Sequence, residues 1–200
     1  MDQIDQHGAM SLPDVRHRVA NVFQLLTTLG RLRAQRSEDA EARRQVEWLH
    51  DATSALGVLQ RHLLSQGGGD FAGFLAEMAP HWRRRARARP VTIEIKAEPV
   101  VLPEQAAAAV AMIVQELVAN ALTHAFPDGR AGMVRVGLKR LEDGRARLVV
   151  ADDGVGYDPV AADPRRLGLW LIGGLADQVK GELTFCCKGG VAVQLEFPAA

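Results

Sequence analysis

The chain has 200 residues, of which 48% are hydrophobic and 24% charged, with 24 basic and 24 acidic side chains. This length favours one medium or two small domains, and the zero formal net charge argues against electrostatic binding to nucleic acid or anionic lipid. We find neither a signal peptide nor a run of about 18 apolar residues. We therefore expect a cytoplasmic protein with no membrane span and no nucleic-acid partner.

The first third of the chain, residues 1–66, predicts two helices that form a hairpin. In the first helix, apolar residues recur at the spacings of three and four that mark one face of a helix, at Leu12, Val15, Val19, Val22, Leu26 and Leu29. After a polar break at 36–39, a second apolar stripe follows at Ala42, Val46, Leu49, Leu56 and Leu63. Because two helices alone cannot enclose a core, the hairpin predicts a four-helix bundle formed by a homodimer.

Three consecutive glycines at 67–69 disfavour helix continuation and separate this hairpin from a second domain over 70–200. Beyond them the pattern predicts helices over 70–88, 103–124 and 167–179. Strands are predicted over 91–95, 133–141, 145–151, 182–187 and 191–197. Strands interleaved with helices, with adjacent antiparallel pairs among them, are typical of an α+β sandwich.

His17 lies two residues from Val15, about 200° around the helix, and therefore points away from the apolar stripe. Asn21 follows on the same polar face, and Arg18 is the next residue to His17 in sequence. Neutral imidazole is a nucleophile, and a neighbouring cation disfavours its protonation while balancing incoming negative charge. His17 is thus a candidate acceptor of an anionic group such as phosphoryl, although an isolated helical histidine is more often a surface or core residue.

Glu116, Asn120 and His124 are spaced four residues apart and project along one side of the helix predicted over 103–124. The carboxamide oxygen of Asn120 is a suitable ligand for Mg²⁺, which typically combines few protein ligands with phosphate oxygens. Glu116 can accept a proton or a hydrogen bond or orient a metal-bound water, and His124 can donate to phosphate. The alternative is a solvated helix face.

Asp152 ends an apolar strand and is followed by Gly154 and Gly156. A carboxylate in this position can accept the exocyclic amine hydrogen of adenine and reject bases that lack this donor. The two glycines allow the backbone to pass close to a flat base. The alternative interpretation is an ordinary Asp-Gly turn.

Gly168 opens the helix predicted from 167, where free backbone N–H groups can bind phosphate. Arg165 and Arg166 precede it and can add charge-assisted contacts. The alternative is a plain glycine at the start of a core helix.

Taken in order, these motifs resemble those of the histidine-kinase family, in particular its HRxxN group (HisKA_2/HWE type), over roughly 12–198. The segment from His17 to Asn21 is similar to the phosphoacceptor box, and the segment from Glu116 to His124 is similar to the N box. Asp-Asp-Gly-Val-Gly at 152–156 resembles the G1 box, and Leu-Gly-Leu at 167–169 resembles a G2 box.

The resemblance implies a dimeric phosphotransfer hairpin followed by a Bergerat-type ATP-binding domain, with ATP and Mg²⁺ as cofactors. Asp152 would bind adenine, Asn120 would hold Mg²⁺, and Gly154, Gly156 and Gly168 would shape the pocket. His17 would take the γ-phosphoryl group and pass it to an aspartate on the receiver domain of a response regulator. The protein would then be a two-component transferase and a phosphoprotein.

The sequence departs from the family pattern at Arg18, where the larger kinase group has an acid, at Thr123, where a lysine is frequent, and at Arg166, where a second G2 glycine is common. Only eleven residues precede Leu12, so we expect a separate sensor protein as partner or a role as phosphorelay intermediary. Two alternatives remain open. One is a histidine phosphotransferase with a non-catalytic ATP-like domain, and the other is an ATP-binding regulator of the anti-sigma type.

Overall fold

The computed structural model describes residues 21–23, 25–30, 32–33, 35, 38–66, 70–87, 90–156, 167–187 and 189–199. Described residues between 21 and 35 are helical and are called the N-terminal helical segment. The helices that follow are α1 (Ala40–Gln66), α2 (Phe71–Ala86), α3 (Glu104–Asn120) and α4 (Leu167–Gln178). The strands are β1 (Val91–Ala97), β2 (Gly132–Arg140), β3 (Arg145–Asp152), β4 (Glu182–Cys186) and β5 (Ala192–Pro198).

The start of α2 is fixed by Asp70, which follows the three glycines. Its carboxylate accepts a hydrogen bond from the backbone N–H of Ala72 at 3.1 Å, which is the N-capping contact that short polar side chains supply. The same Asp70 oxygen accepts from the N–H of Val100 at 3.2 Å, and the N–H of Phe71 donates to the Val100 carbonyl at 2.8 Å. The cap therefore also ties α2 to the segment after β1.

The five strands form one mixed sheet in the order β1-β2-β3-β5-β4. β1 and β2 are parallel, and the remaining neighbours are antiparallel. Parallel neighbours need a long crossover, and α3 lies within the connection between β1 and β2. Alternate residues of the central strands are buried beneath the helices, at Val134, Val136, Leu148, Val150, Val193 and Leu195. The opposite face is polar, with Arg147 donating to Glu196 at 2.7 Å.

Helix α3 is the central helix of the core and is continued by a π-helical turn, Ala121–Ala125. Among the described residues, Glu104–Ala125 is long and apolar enough to cross a membrane by length and composition, with a mean hydropathy of 1.6. This stretch is not an uninterrupted apolar run, because it contains Gln115, Glu116 and Asn120. Because 67% of that stretch is buried inside the protein, and a core helix meets the same criterion, it is weak evidence for a membrane span.

Helix α1 packs on α3 through its C-terminal half. Ala55, Val58 and Leu59 are fully buried and belong to the same apolar cluster as α3 and the sheet. His62, near the end of α1, is also buried, with its ring nitrogens 2.8 Å from the Glu77 carboxylate and 2.7 Å from the Asp70 carbonyl. Helix α1 therefore shares one core with the elements that follow the glycines.

The N-terminal helical segment contacts α1, where the Nδ1 atom of His50 lies 2.8 Å from the Thr27 carbonyl oxygen. Its apolar stripe is about half exposed in the single chain. The exposed fractions are 45–59% for Val22, Leu25, Leu26, Leu29 and Leu32. The dimeric four-helix bundle and the division at residues 67–69 stay predictions.

Candidate functional site

A cavity of about 910 Å³ lies between α1 and α3, at the ends of β3 and β5 and the start of α4. Its size is in the range of roughly 300–1,000 Å³ that is usual for small-molecule sites. Six residues that the sequence analysis selected line it together, namely Glu116, Asn120, His124, Asp152, Gly156 and Gly168. These residues come from separate motifs, so the fold brings the motifs to one place.

Glu116 lies at the back of this cavity and is only 7% exposed. The solvated-face alternative is therefore wrong at this position, although His124, two turns later, is exposed. Gly168 at the start of α4 passes directly over the Glu116 carboxylate, and a Cβ atom at this position would overlap it. Any larger residue here would require the Glu116 carboxylate to move.

The Asn120 side chain is oriented by Glu116. Its Nδ2 atom donates to the Oε1 atom of Glu116 at 3.3 Å. A carboxylate can only accept, so the amide nitrogen must face Glu116 and the amide oxygen must point away from it. Among the described residues there is no cluster of three or more His, Cys, Asp or Glu side chains that could hold a metal. An oriented amide oxygen beside a cavity nevertheless suits Mg²⁺, which completes its coordination with phosphate and water oxygens.

Asp152 is half-buried at the end of β3, where one of its oxygens is already bound. Its Oδ1 atom accepts from the backbone N–H of Gly154 at 2.9 Å and of Val191 at 3.2 Å. Burial raises the pKa of the Asp152 carboxyl, and these two backbone hydrogen bonds oppose the rise. Among the described residues only Oδ1 receives a hydrogen bond, so Oδ2 can accept one from a ligand donor such as an amine.

The neighbouring Asp153 has a different role. Its carboxylate accepts from the backbone N–H of Met133 at 2.7 Å and so holds the start of β2. Gly156 has φ 70°, and a Cβ atom at this position would lie 2.9 Å from the Cys187 carbonyl oxygen. Gly154 passes Ala125 too closely for a side chain. Both glycines are required by the close packing of the loop that follows Asp152.

Several predicted site residues cannot be compared with the cavity. His17, Arg18, Arg165 and Arg166 lie outside the described residues. Asn21 is described and exposed on the N-terminal helical segment, and it does not line the cavity. The roles of all five stay predictions.

One wall of the cavity was not predicted from the sequence. It comes from the first turns of α1 and contains Glu41, Arg44, Gln45, Val46, Trp48 and Leu49. Trp48 donates its indole Nε1–H to the Oε2 atom of Glu116 at 2.6 Å. The indole N–H of a partly buried tryptophan usually has a hydrogen-bond acceptor. The sequence alone does not identify that acceptor for Trp48.

The mixed sheet has helices packed on one face, and the cavity combines a half-buried carboxylate with an oriented carboxamide. These features are typical of a nucleotide-binding α+β domain. Residues 80–195 match the family described as the histidine kinase-like ATPase domain, and the chain belongs to that family. The match begins within α2, so α1 lies outside it.

Named relatives agree with this assignment. The chain is 26% identical over 200 residues to blue-light-activated histidine kinase 2 of Erythrobacter litoralis, covering 94% of this chain and 56% of that protein. It is 30% identical over 160 residues to the sensor histidine kinase PdtaS of Mycobacterium tuberculosis, covering 73% of this chain and 30% of that protein. The chain therefore spans about half or less of the length of these relatives.

Solved structures show the same fold. The histidine kinase domain of the Erythrobacter litoralis EL346 blue-light-activated kinase superposes with a TM-score of 0.72 at 20% identity, covering 91% of this chain and 95% of that one. Full-length ShkA, solved in complex with AMPPNP, superposes with a TM-score of 0.56 at 21% identity, covering 94% and 45%. The α+β fold with its mixed sheet is thus that of histidine kinase ATPase domains.

Proposed function

We propose that this chain is the core of an ATP-dependent protein-histidine kinase of a two-component system. The main observation behind the proposal is one cavity that contains the buried Glu116, its hydrogen-bond partner Asn120 and the half-buried Asp152. An acceptor for adenine and an oriented amide for a phosphate-bound metal are what a Mg²⁺–ATP site requires. The names of the relatives support the transfer reaction.

In the proposed complex, Asp152 accepts the exocyclic amine of adenine, and Gly156 and Gly168 let the backbone approach the nucleotide. Asn120 would hold Mg²⁺, which when bound neutralises phosphate charge and orients the triphosphate. His124, which is exposed and lines the cavity, would donate to phosphate. Arg165 and Arg166 would add charge-assisted contacts to the same group.

The phosphoryl acceptor in this proposal is His17, with Arg18 and Asn21 beside it. An imidazole nitrogen attacks the γ-phosphorus while the bond to the ADP oxygen breaks, and the imidazole loses its proton to Glu116 or to water. The phosphoryl group then passes to an aspartate of a response-regulator receiver domain. Catalysis in such a transfer consists mainly of positioning and charge stabilisation.

We further propose that two chains associate through the N-terminal helices. The half-exposed stripe that includes Leu25 and Leu29 is the surface that a second copy would cover, because such a contiguous apolar face favours association. A cytoplasmic location completes the proposal.

The test is incubation of the purified chain with γ-labelled ATP and Mg²⁺. We expect label on the protein that is labile in acid and stable in base, as a phosphoramidate is. His17→Ala should abolish this label, whereas the matched control His81→Ala, a histidine of α2, should retain it. Asn120→Ala should also abolish it, since it removes the metal ligand.

Two outcomes would contradict the proposal. A wild-type chain that takes no label from ATP but accepts it from a phosphorylated receiver domain would indicate a histidine phosphotransferase. Label that survives His17→Ala would contradict both functions that use His17.

A further inference from the structure

Two tryptophans, from different helices, donate hydrogen bonds to consecutive residues of α3. Trp82 of α2 is fully buried and donates to the Oε1 atom of Gln115 at 2.8 Å inside the core. Trp48 of α1 is half-buried and donates to the Oε2 atom of Glu116 at 2.6 Å at the wall of the cavity. The first contact holds two core helices together, whereas the second reaches a residue of the nucleotide site.

The Glu116 carboxylate is held from three sides. Its Oε2 atom accepts from Trp48, its Oε1 atom accepts from Asn120, and the backbone of Gly168 covers it. An indole N–H can only donate and a carboxylate can only accept, so the direction of both hydrogen bonds is fixed. If the Trp48 donor is lost, the Glu116 carboxylate loses one of the two hydrogen bonds that hold it, and the position of the Asn120 amide is then less firmly fixed.

We propose that Trp48 is a positioning residue, which orients the Asn120 amide oxygen through Glu116 and makes the affinity for Mg²⁺–nucleotide depend on the docking of α1. This inference rests on the proposed nucleotide site and adds a regulatory contact to it. Residues behind a metal ligand affect metal binding because they fix the ligand's orientation. In the chain, α1 comes after the N-terminal helical segment. A displacement of these helices would move Trp48 and would thereby alter the position of the Asn120 amide.

The experiment measures ATP affinity by calorimetry with Mg²⁺ and with EDTA, in the wild type and in three Trp→Phe variants. Trp48→Phe should lower the affinity in Mg²⁺ by roughly 3- to 10-fold, less than the roughly 10- to 100-fold typical of residues that bind a metal ligand directly. Its affinity in EDTA should equal that of the wild type, because the adenine contacts do not involve Glu116.

The two controls separate positioning from packing. Trp82→Phe removes a buried indole donor and should lower the unfolding midpoint without changing the ratio of the two affinities. Trp170→Phe changes a side chain that is 70% exposed and should alter neither property.

Two results would overturn the inference. The first is a Trp48→Phe variant that loses affinity equally in Mg²⁺ and in EDTA, because Trp48 would then only form part of the wall. The second is a variant with no change in either condition. If the wild type bound no ATP at all, the proposed function would be wrong and this inference with it. Mg²⁺-dependent binding without labelling of His17 would contradict the kinase alone and leave the role of Trp48 standing.

Discussion

The two walls of the cavity differ in origin and in chemistry. The wall formed by α3, the end of β3 and the start of α4 lies within residues 80–195, which match the ATPase family, and contains Glu116, Asn120 and Asp152. The wall formed by α1 lies outside that match and supplies Trp48 together with side chains that are mostly exposed. One wall thus contains the proposed nucleotide-binding groups, and the other supplies the hydrogen bond from Trp48 to Glu116.

The same contrast exists within α1. Its C-terminal half is buried against α3 at Ala55, Val58 and Leu59, whereas its first turns are open to the cavity and to solvent. Exposed turns with few buried contacts open more easily than the core does. We therefore expect the part of α1 that contacts Glu116 to change its position more easily than the buried part does.

The largest effect that we expect comes from a substitution in the buried part of α1. Leu59→Ala leaves a cavity in the core and should lower the unfolding free energy by roughly 2–5 kcal/mol, measured by urea denaturation. The matched control is Leu29→Ala in the N-terminal helical segment, where the side chain is 52% exposed. In a dilute sample it should change the unfolding free energy by about 0.5 kcal/mol or less. If both variants lost the same unfolding free energy, the difference between the buried half of α1 and the exposed N-terminal helical segment would be contradicted.

The next largest effect concerns the cavity wall that lies within residues 80–195, which match the ATPase family. Asp152→Asn should weaken binding of ATP by roughly 10- to 100-fold, because a hydrogen bond to a charged acceptor contributes roughly 1.5–3 kcal/mol. The variant should be at least as stable as the wild type, since it removes a carboxylate whose burial raises its pKa. Asp153→Asn is the neighbouring comparison and should affect adenine binding less. An Asp152→Asn variant with wild-type affinity would exclude this carboxylate as the adenine acceptor.

The smallest effect is a dependence on pH. The raised pKa of Asp152 means that the folded protein binds this proton more tightly than the unfolded chain does. As the pH falls toward that value, protonation therefore favours the fold and weakens adenine binding, and this begins at a higher pH than for an ordinary aspartate. Titrating adenosine, which has no phosphate, should show the loss in the wild type. In Asp152→Asn, the affinity for adenosine should not show this loss as the pH falls.

Local patterns were sufficient to predict most of the secondary structure. The helix predicted over 103–124 is observed as α3 and its π-helical extension to Ala125, and the strands predicted over 145–151 and 191–197 differ from β3 and β5 by one residue at each end at most. Apolar periodicity determines these elements because it depends on neighbouring residues only. The order of motifs in the chain was likewise enough to indicate the family.

Contacts between distant parts of the chain could be identified only from the tertiary structure. The sequence does not show that β5 lies between β3 and β4, or that Asp152 is available to a ligand while Asp153 is bound to β2. Nor does it show that Trp48 meets Glu116, which is 68 positions away. Hydrophobic period and turn residues specify which segments form helices and strands, but the partner of a single polar group is decided only when those segments pack and exclude water.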